Sequence, residues 1–260
     1  MAKLSWGNVT ERAYEAGVDR GVLYPITGQG VVWNGLTAVQ ESPSGGTPTP
    51  YYLDGIKYLN VASSEDFEGS ISAYSSPVEF ALCNGSGSIA NGLLVTQQPR
   101  TSFGFSYRTM LGNAVYGLDR FYKIHLVYNA LAAPNSQDNS TIGSSTSPVI
   151  FIWQITTLPV LSVGYKPSAH YVIDASIVPT ELLSILEDIL YGTNTSAPRM
   201  PTPTELLALF VPYAPLSIML LPNGAYSASG GKVIKDTPAT FTINDTAAVD
   251  NGDGSFTITY

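Results

Sequence analysis

The sequence predicts a mainly β fold with one flanking α-helix and long loops. Three observations carry that prediction. Runs of β-branched and aromatic residues recur along the 260-residue chain, punctuated by Gly, Pro, Asn and Ser. One segment, 180–191, shows a clear helical stripe of apolar residues. Hydrophobic residues make up 44% of the chain and charged residues only 12%, about half the usual share. A core can therefore be buried, and little charge is left to solvate an exposed surface. Disorder would require the opposite composition.

The predicted strands follow in order. They are Val31–Trp33, Val78–Leu82, Ser102–Tyr107, Phe121–Tyr128, Ile150–Ile155 and Tyr171–Asp174. Residues 121–128 alternate: Tyr122, Ile124, Leu126 and Tyr128 share the better core face, with Phe121, Lys123, His125 and Val127 on the other. In the helical segment Leu182, Leu183, Ile185, Leu186, Ile189 and Leu190 form one buried face. Glu181, Ser184, Glu187 and Asp188 fill a solvated one. Pro179 suits the helix start, Glu181 its positive end and Gly192 its C-terminal cap. Such a stripe is most simply covered by lying across a sheet. Pro179-Thr-Glu-Leu-Leu183 recurs as Pro203-Thr-Glu-Leu-Leu207, read as a second, short helix start that ends before Pro212.

Two loops are expected, at Ser42–Pro50 and at Ala133–Pro148. Segments of that length are usually functional or disordered. In the first, Gly45 and Gly46 give freedom, while Pro43, Pro48 and Pro50 limit it and oppose regular pairing. Residues 223–260 carry three or four short strands. About 40 residues are too few for an added immunoglobulin-like domain of roughly 100. The expectation is one domain over 1–260, with 223–260 as a C-terminal β-hairpin or arm.

Motifs for chemistry are sparse. His170, Asp174 and Ser176 are badly spaced for a relay and lack a nucleophile elbow. His125 lies in an alternating strand and reads as structural. Asp250-Asn-Gly-Asp-Gly254 reads as a tight turn, because a calcium loop needs an oxygen ligand where Gly252 stands. A single cysteine, Cys83, excludes an intrachain disulfide and a multi-cysteine zinc site. No enzyme activity, cofactor or metal is expected. The formal net charge is −8, and no two of the 12 Lys and Arg residues are adjacent, so no basic patch is available to grip phosphates. The N-terminal residues lack a signal-peptide stretch, and Leu206–Leu221 is too short and too proline-broken to span a bilayer. A protein made in the cytoplasm without membrane insertion is expected.

Two blocks carry a family resemblance. The first comprises Arg12-Ala-Tyr-Glu-Ala-Gly-Val-Asp-Arg-Gly-Val-Leu-Tyr24, Gly30-Val-Val-Trp-Asn-Gly-Leu36 and Tyr51-Tyr-Leu-Asp-Gly-Ile-Lys-Tyr-Leu-Asn60. The second comprises Trp153-Gln-Ile-Thr-Thr-Leu-Pro-Val160, Lys166-Pro-Ser-Ala-His-Tyr-Val-Ile-Asp174 and Leu182–Gly192. In order and spacing they resemble the major tail tube proteins of long-tailed, non-contractile bacteriophages, especially those of actinobacterial hosts. The resemblance implies a tail-tube-type β-sandwich or barrel, with the 180–191 helix as its flanking helix. It implies hexameric rings stacked into a tube that passes the genome at ejection. It places the protein in the virion tail, assembled in the host cytoplasm. Its partners would be copies of itself, the tape measure protein and the tail-end proteins, with phage DNA passing through but not tightly bound. Ser42, Pro43, Ser44, Gly45, Gly46, Thr47, Pro48, Thr49 and Pro50 are then the candidate ring-stacking loop. A β-sandwich module or adhesin that binds glycans through exposed tyrosines is the alternative from a different class, and a β-rich hydrolase is a third.

Overall fold

The computed structural model describes residues 13–211, apart from 138, 140, 142–147 and 163. Beyond 211 it describes the strand residues 217–220, 226–229, 233–236, 240–243, 246–250 and 256–258. The chain is mainly β. It divides into two compact units, residues 1–200 and 201–260.

The first unit is built on one antiparallel sheet. Its strands are β1 (Ala13–Pro25), β2 (Val31–Val32), β3 (Leu36–Glu41), β8 (Glu68–Ala73), β11 (Phe103–Asn113), β12 (Gly117–Ala132), β13 (Phe151–Thr157) and β14 (His170–Asp174). They run in the order β2-β1-β11-β12-β13-β8-β3, with β14 also on β12. Along its edge away from β11 the long β12 serves two neighbours. Residues Lys123–Val127 pair with β14, and Ala130–Ala132 pair with β13. Between them Asn129 takes a left-handed φ of 48°, which turns the strand from one partner to the other.

The sheet curls until its last strand returns to β1. At Gly21 of β1 an added Cβ would lie 2.9 Å from the Leu36 Cδ2 of β3, which marks how closely the two strands approach. Across the inside of the curl, the Tyr107 hydroxyl of β11 donates to Glu41 Oε1 of β3 at 2.6 Å. The interior is aromatic. The Trp33 ring meets Phe80 at 4.7 Å and both Phe105 and Trp153 at 5.5 Å, centre to centre. Its indole N–H is satisfied by the Ser75 carbonyl at 2.9 Å. Leu23, Ile71, Phe103, Val127 and Ile155 complete this core.

Strands β11 and β12 are buried on both faces, not on one. Ile124 and Leu126 are buried on the expected core face, but His125 and Val127 on the other face are buried as well. The reason is that a helix covers one side and the curled sheet encloses the other. The expected strand at Val78–Leu82 is instead a 3-10 turn over Val78–Ala81. Val78 is exposed there, while Phe80 plugs the core against Trp33 and Phe103. A short apolar run after a proline does not by itself distinguish a strand from a turn.

Short ribbons project from this sheet: β4 (Ser44–Gly45) with β7 (Glu65–Asp66), β5 (Pro48–Leu53) with β6 (Ile56–Ala62), and β9 (Gly87–Ala90) with β10 (Leu93–Val95). The second unit holds α2 (Pro203–Phe210), a β15–β16 hairpin (Ser217–Leu220, Tyr226–Ser229) and a four-stranded meander β17–β20 (Val233–Asp236, Thr240–Ile243, Thr246–Asp250, Phe256–Ile258). Residues 251–255, which include most of the tight turn expected at Asp250–Gly254, and most of the 138–147 stretch lie outside the described residues.

The repeated Pro-Thr-Glu-Leu-Leu starts its two helices differently. Before α2, the Thr202 hydroxyl accepts from the Glu205 N–H and the Thr202 N–H donates in return to the Glu205 carboxylate, a full capping box with Pro203 in the first turn. In α1 (Thr180–Tyr191) the position before the repeat is Val178, which has no capping oxygen, and Pro179 is itself the cap residue. One residue outside the repeat decides the difference.

Candidate functional site

Ser42–Pro50 is not an irregular loop. Ser44 and Gly45 pair with Asp66 and Glu65, and Pro48 onward forms strand β5, paired with β6 through Pro48–Ala62, Thr49–Val61 and Pro50–Asn60. Pro48 and Pro50 are two apart, so their missing N–H groups fall on the same edge. A two-stranded ribbon has a free outer edge that tolerates this. The prolines thus permit the pairing they were expected to oppose, and they block a third strand on that side.

The ribbon turns at Asp54-Gly55, whose φ values of 49° and 76° make a two-residue turn with both centres left-handed. Asp-Gly between apolar flanks is a strong hairpin signal. No hairpin was expected here, although that signal is present in the sequence. Every residue from Thr47 to Asp66 is exposed. Among them are seven large hydrophobics: Tyr51, Tyr52, Leu53, Ile56, Tyr58, Leu59 and Val61, with Ile56 74% and Tyr58 70% exposed. An isolated two-stranded hairpin is marginal in water. Covering seven such side chains is worth on the order of 10 kcal/mol before ordering costs.

Helix α1 lies on the outer face of the sheet. The Tyr24 hydroxyl donates to the Leu190 carbonyl at 2.9 Å, and the Tyr122 hydroxyl donates to Glu187 Oε1 at 2.8 Å. Leu182, Leu183, Leu186 and Leu190 are buried. Ile189 is half-buried and Ile185, expected in the same stripe, is exposed at 44%. At about 100° per residue the four leucines cluster in one sector, and Ile185 falls roughly 100° from its centre. Glu187 also departs from expectation. It is not merely solvated, since it holds Tyr122 and stands 3.9 Å from Arg20. Burial and the Glu187 carboxylate push the Tyr122 phenol up to about 12. Glu187→Ala is expected to cost about 1 kcal/mol by urea denaturation, while Asp188→Ala stays within about 0.5 kcal/mol.

A polar chain runs along one end of the enclosed face, where β11 and β12 change from aromatic to charged residues. His125 Nδ1 lies 3.1 Å from His170 Nε2 and 3.4 Å from Glu41 Oε1. Tyr107 stacks on His125 with centres 4.5 Å apart, and Phe67 packs on His170 at 4.3 Å. Further out, Thr109 Oγ1 donates to Glu15 Oε1 and lies 3.1 Å from His125 Nε2, and Lys123 pairs with Glu15 Oε2 at 2.6 Å. Burial pushes the Tyr107 phenol far up, and the Glu41 carboxylate adds to it. Burial alone would raise the Glu15 carboxyl, but hydrogen bonds from Lys123 and Thr109 outweigh it and hold it below its ordinary value.

Burial lowers His125 from 6.5 to about 4, helped by neighbouring His170, and burial also lowers His170. Above pH 6.5 both folded and unfolded chains carry neutral histidine. Below it the unfolded chain takes up protons that the folded chain refuses. Stability of chelator-treated protein is therefore expected to fall as pH drops from 6.5 towards 4. The slope would be up to about 1.4 kcal/mol per pH unit for each histidine. Urea midpoints at pH 7 and pH 5 check this, and His125→Gln should flatten the difference.

His170, Asp174 and Ser176, read from their spacing as no relay, do not come together as one. Ser176 donates to Asp174 Oδ1 at 2.6 Å in a local turn, while His170 faces His125 and Glu41. Cys83 is buried, and burial raises its thiol. Among the described residues no helix is long and apolar enough to cross a membrane. The histidine cluster escaped sequence reasoning because its members lie 45 residues apart, with Glu41 far upstream, and form no spacing motif.

No family model matches the chain. No curated protein matches it either. Among solved structures, a chain in a six-fold symmetrised cryo-EM structure of the anti-feeding prophage baseplate aligns with 67% of this chain and 100% of its own length. Its TM-score is 0.34 and its sequence identity 8%. At these values the likeness fixes neither fold nor function.

Proposed function

We propose that this chain is a structural protein of a phage-type tail tube, assembling into closed rings that stack through the β5–β6 ribbon. The single observation that carries the reading is the ribbon itself. It holds seven exposed large hydrophobics on an element that adds nothing to the core of its own unit. A monomer gains nothing from ordering such a segment at roughly 1–2 kcal/mol per residue, whereas an assembly that covers it does. The residues behind the tail tube resemblance support the same reading. They fall on β1, on the β2–β3 approach to the core, on the ribbon, on β13, on β14 and on α1.

The number six comes from the resemblance. Six chains at −8 would carry a formal charge of about −48. Acid lining a channel would repel phosphates and let DNA slide without adhering. Ring stacking through identical ribbons is a head-to-tail contact, which builds open filaments.

The test is negative-stain microscopy and light scattering of the purified full chain, alone and with the tail initiator and tape measure proteins of its own genome. Rings or tubes are the expected result. A chain that stays monomeric in every mixture, and that binds a glycan saturably through Tyr51, Tyr52 or Tyr58, would instead establish the carbohydrate-binding reading.

A further inference from the structure

We propose that Glu41, His125 and His170 form a binding site for a divalent transition metal of the zinc class, independent of the assembly reading. One donor atom from each of the three lies within 4.8 Å of the others. A tetrahedral zinc ion with bonds of about 2.0–2.2 Å sets its ligand atoms roughly 3.3 Å apart. The His125 Nδ1 to His170 Nε2 separation of 3.1 Å and the His125 Nδ1 to Glu41 Oε1 separation of 3.4 Å already approach that edge length.

The hydrogen bonds around the cluster prepare the donors. A threonine hydroxyl has one proton. Thr109 gives its proton to the Glu15 carboxylate, which can only accept, so Thr109 Oγ1 must accept from His125 Nε2–H. His125 Nδ1 is then bare, with its lone pair turned towards His170 and Glu41. A metal-ligating histidine is oriented in this way, by an outer partner on its second nitrogen. Glu41 is oriented too, by the 2.6 Å bond from Tyr107. The rings of Tyr107 and Phe67 hold the two imidazoles in place.

Without metal, the His170 Nε2–H proton occupies the gap as a hydrogen bond to His125 Nδ1. When the ion enters, that proton moves to His170 Nδ1, so no net proton leaves the histidines and Glu41 supplies the negative charge. Three protein ligands leave a fourth position for water. It opens to solvent where the Glu41 side chain is 40% exposed. The ligands come from β3, β12 and β14, strands far apart in sequence. An ion there would clip them together at Glu41, the residue just before the segment that leads into the ribbon.

The experiment uses the full chain after chelator treatment, titrated with Zn2+ by calorimetry and with Co2+ by visible absorption. One ion per chain is expected, with the intense visible bands of four-coordinate Co2+. Zinc at a hundred-fold excess over Kd should raise Tm by about 5–10 °C. Glu41→Gln and His170→Gln, checked for native circular dichroism, should each weaken uptake at least ten-fold. The Glu41 side chain is 40% exposed, far more than His170 at 13%, so its variant keeps the test meaningful even where His170→Gln fails to fold. Absence of saturable uptake, an aquo-like Co2+ spectrum, or undiminished uptake by Glu41→Gln would overturn the site and leave a hydrogen-bonded histidine pair.

Discussion

Replacing residues 49–61 with a short Gly-Ser linker is expected to leave the Tm of the isolated chain within a degree or two, and to abolish tubes. The two halves of that expectation rest on different facts. Pro48 and Ala62 are paired across the ribbon base, so a short linker closes the gap without pulling on the sheet. Every residue removed is exposed, so no core contact is lost. Assembly should respond in the opposite way. By symmetry every ring loses all its ribbon contacts at once, and each of those contacts draws on several kcal/mol of apolar burial. Thermal unfolding and negative-stain microscopy of the same preparation read both halves. Tubes of normal length and stability from this variant would refute the stacking role. A large fall in the monomer's Tm would show that the ribbon is part of the unit's own fold.

Leu186→Asp is expected to yield unfolded or insoluble protein. Leu186 is fully buried at the centre of the α1 face, between Leu182 and Leu190, which are buried as completely. The buried cation over Tyr122, Arg108, is already committed to Asp19 by two hydrogen bonds. Glu187 of the same helix bonds Tyr122 and stands 3.9 Å from Arg20. An unpaired buried carboxylate costs several kcal/mol, and removing the leucine adds roughly 2–5 kcal/mol of lost burial and cavity. The total is comparable to the whole stability of a domain. Ile185→Asp is the internal control. It lies one residue earlier, but it is exposed, and it should be tolerated with a cost under about 1 kcal/mol. Equal solubility and Tm for the Leu186 and Ile185 variants would mean that the helix does not pack as described.

Legibility differed by element, for physical reasons. The central strands could be read at Ser102–Tyr107 and Phe121–Tyr128, where β-branched and aromatic residues run together and 121–127 pairs with β11 without a register shift. Strand β1 is longer, but it was not recognised as a strand. It carries register breaks between Ala16 and Val18 and between Asp19 and Val22, with Gly17 and Arg20 at positive φ. Each inserted residue moves the side chains that follow to the other face, so the period-two pattern dissolves. The helix was legible as a helix, but its exact buried sector was not. A stripe of six apolar residues is wider than the surface that the sheet offered, and Ile185 fell outside it.

The chain's sequence alone determined the mainly β class, the position and polarity of α1, the scatter of its Lys and Arg residues, and, in a signal that went unread, the hairpin turn at Asp54-Gly55. These depend on local periodicity, on backbone preferences a few residues long, or on composition, and no distant contact can change them. The tertiary structure alone decided that both faces of β12 are buried, that Glu187 meets Tyr122, and that Glu41, His125 and His170 converge. Each of these depends on which strands the curl brings side by side, and pairs separated by 45 or more residues leave no periodic trace in the sequence. The ribbon lies between the two. Its turn is written locally, but that its seven large hydrophobics stay uncovered by their own unit could be seen only once the rest of the chain had folded without them.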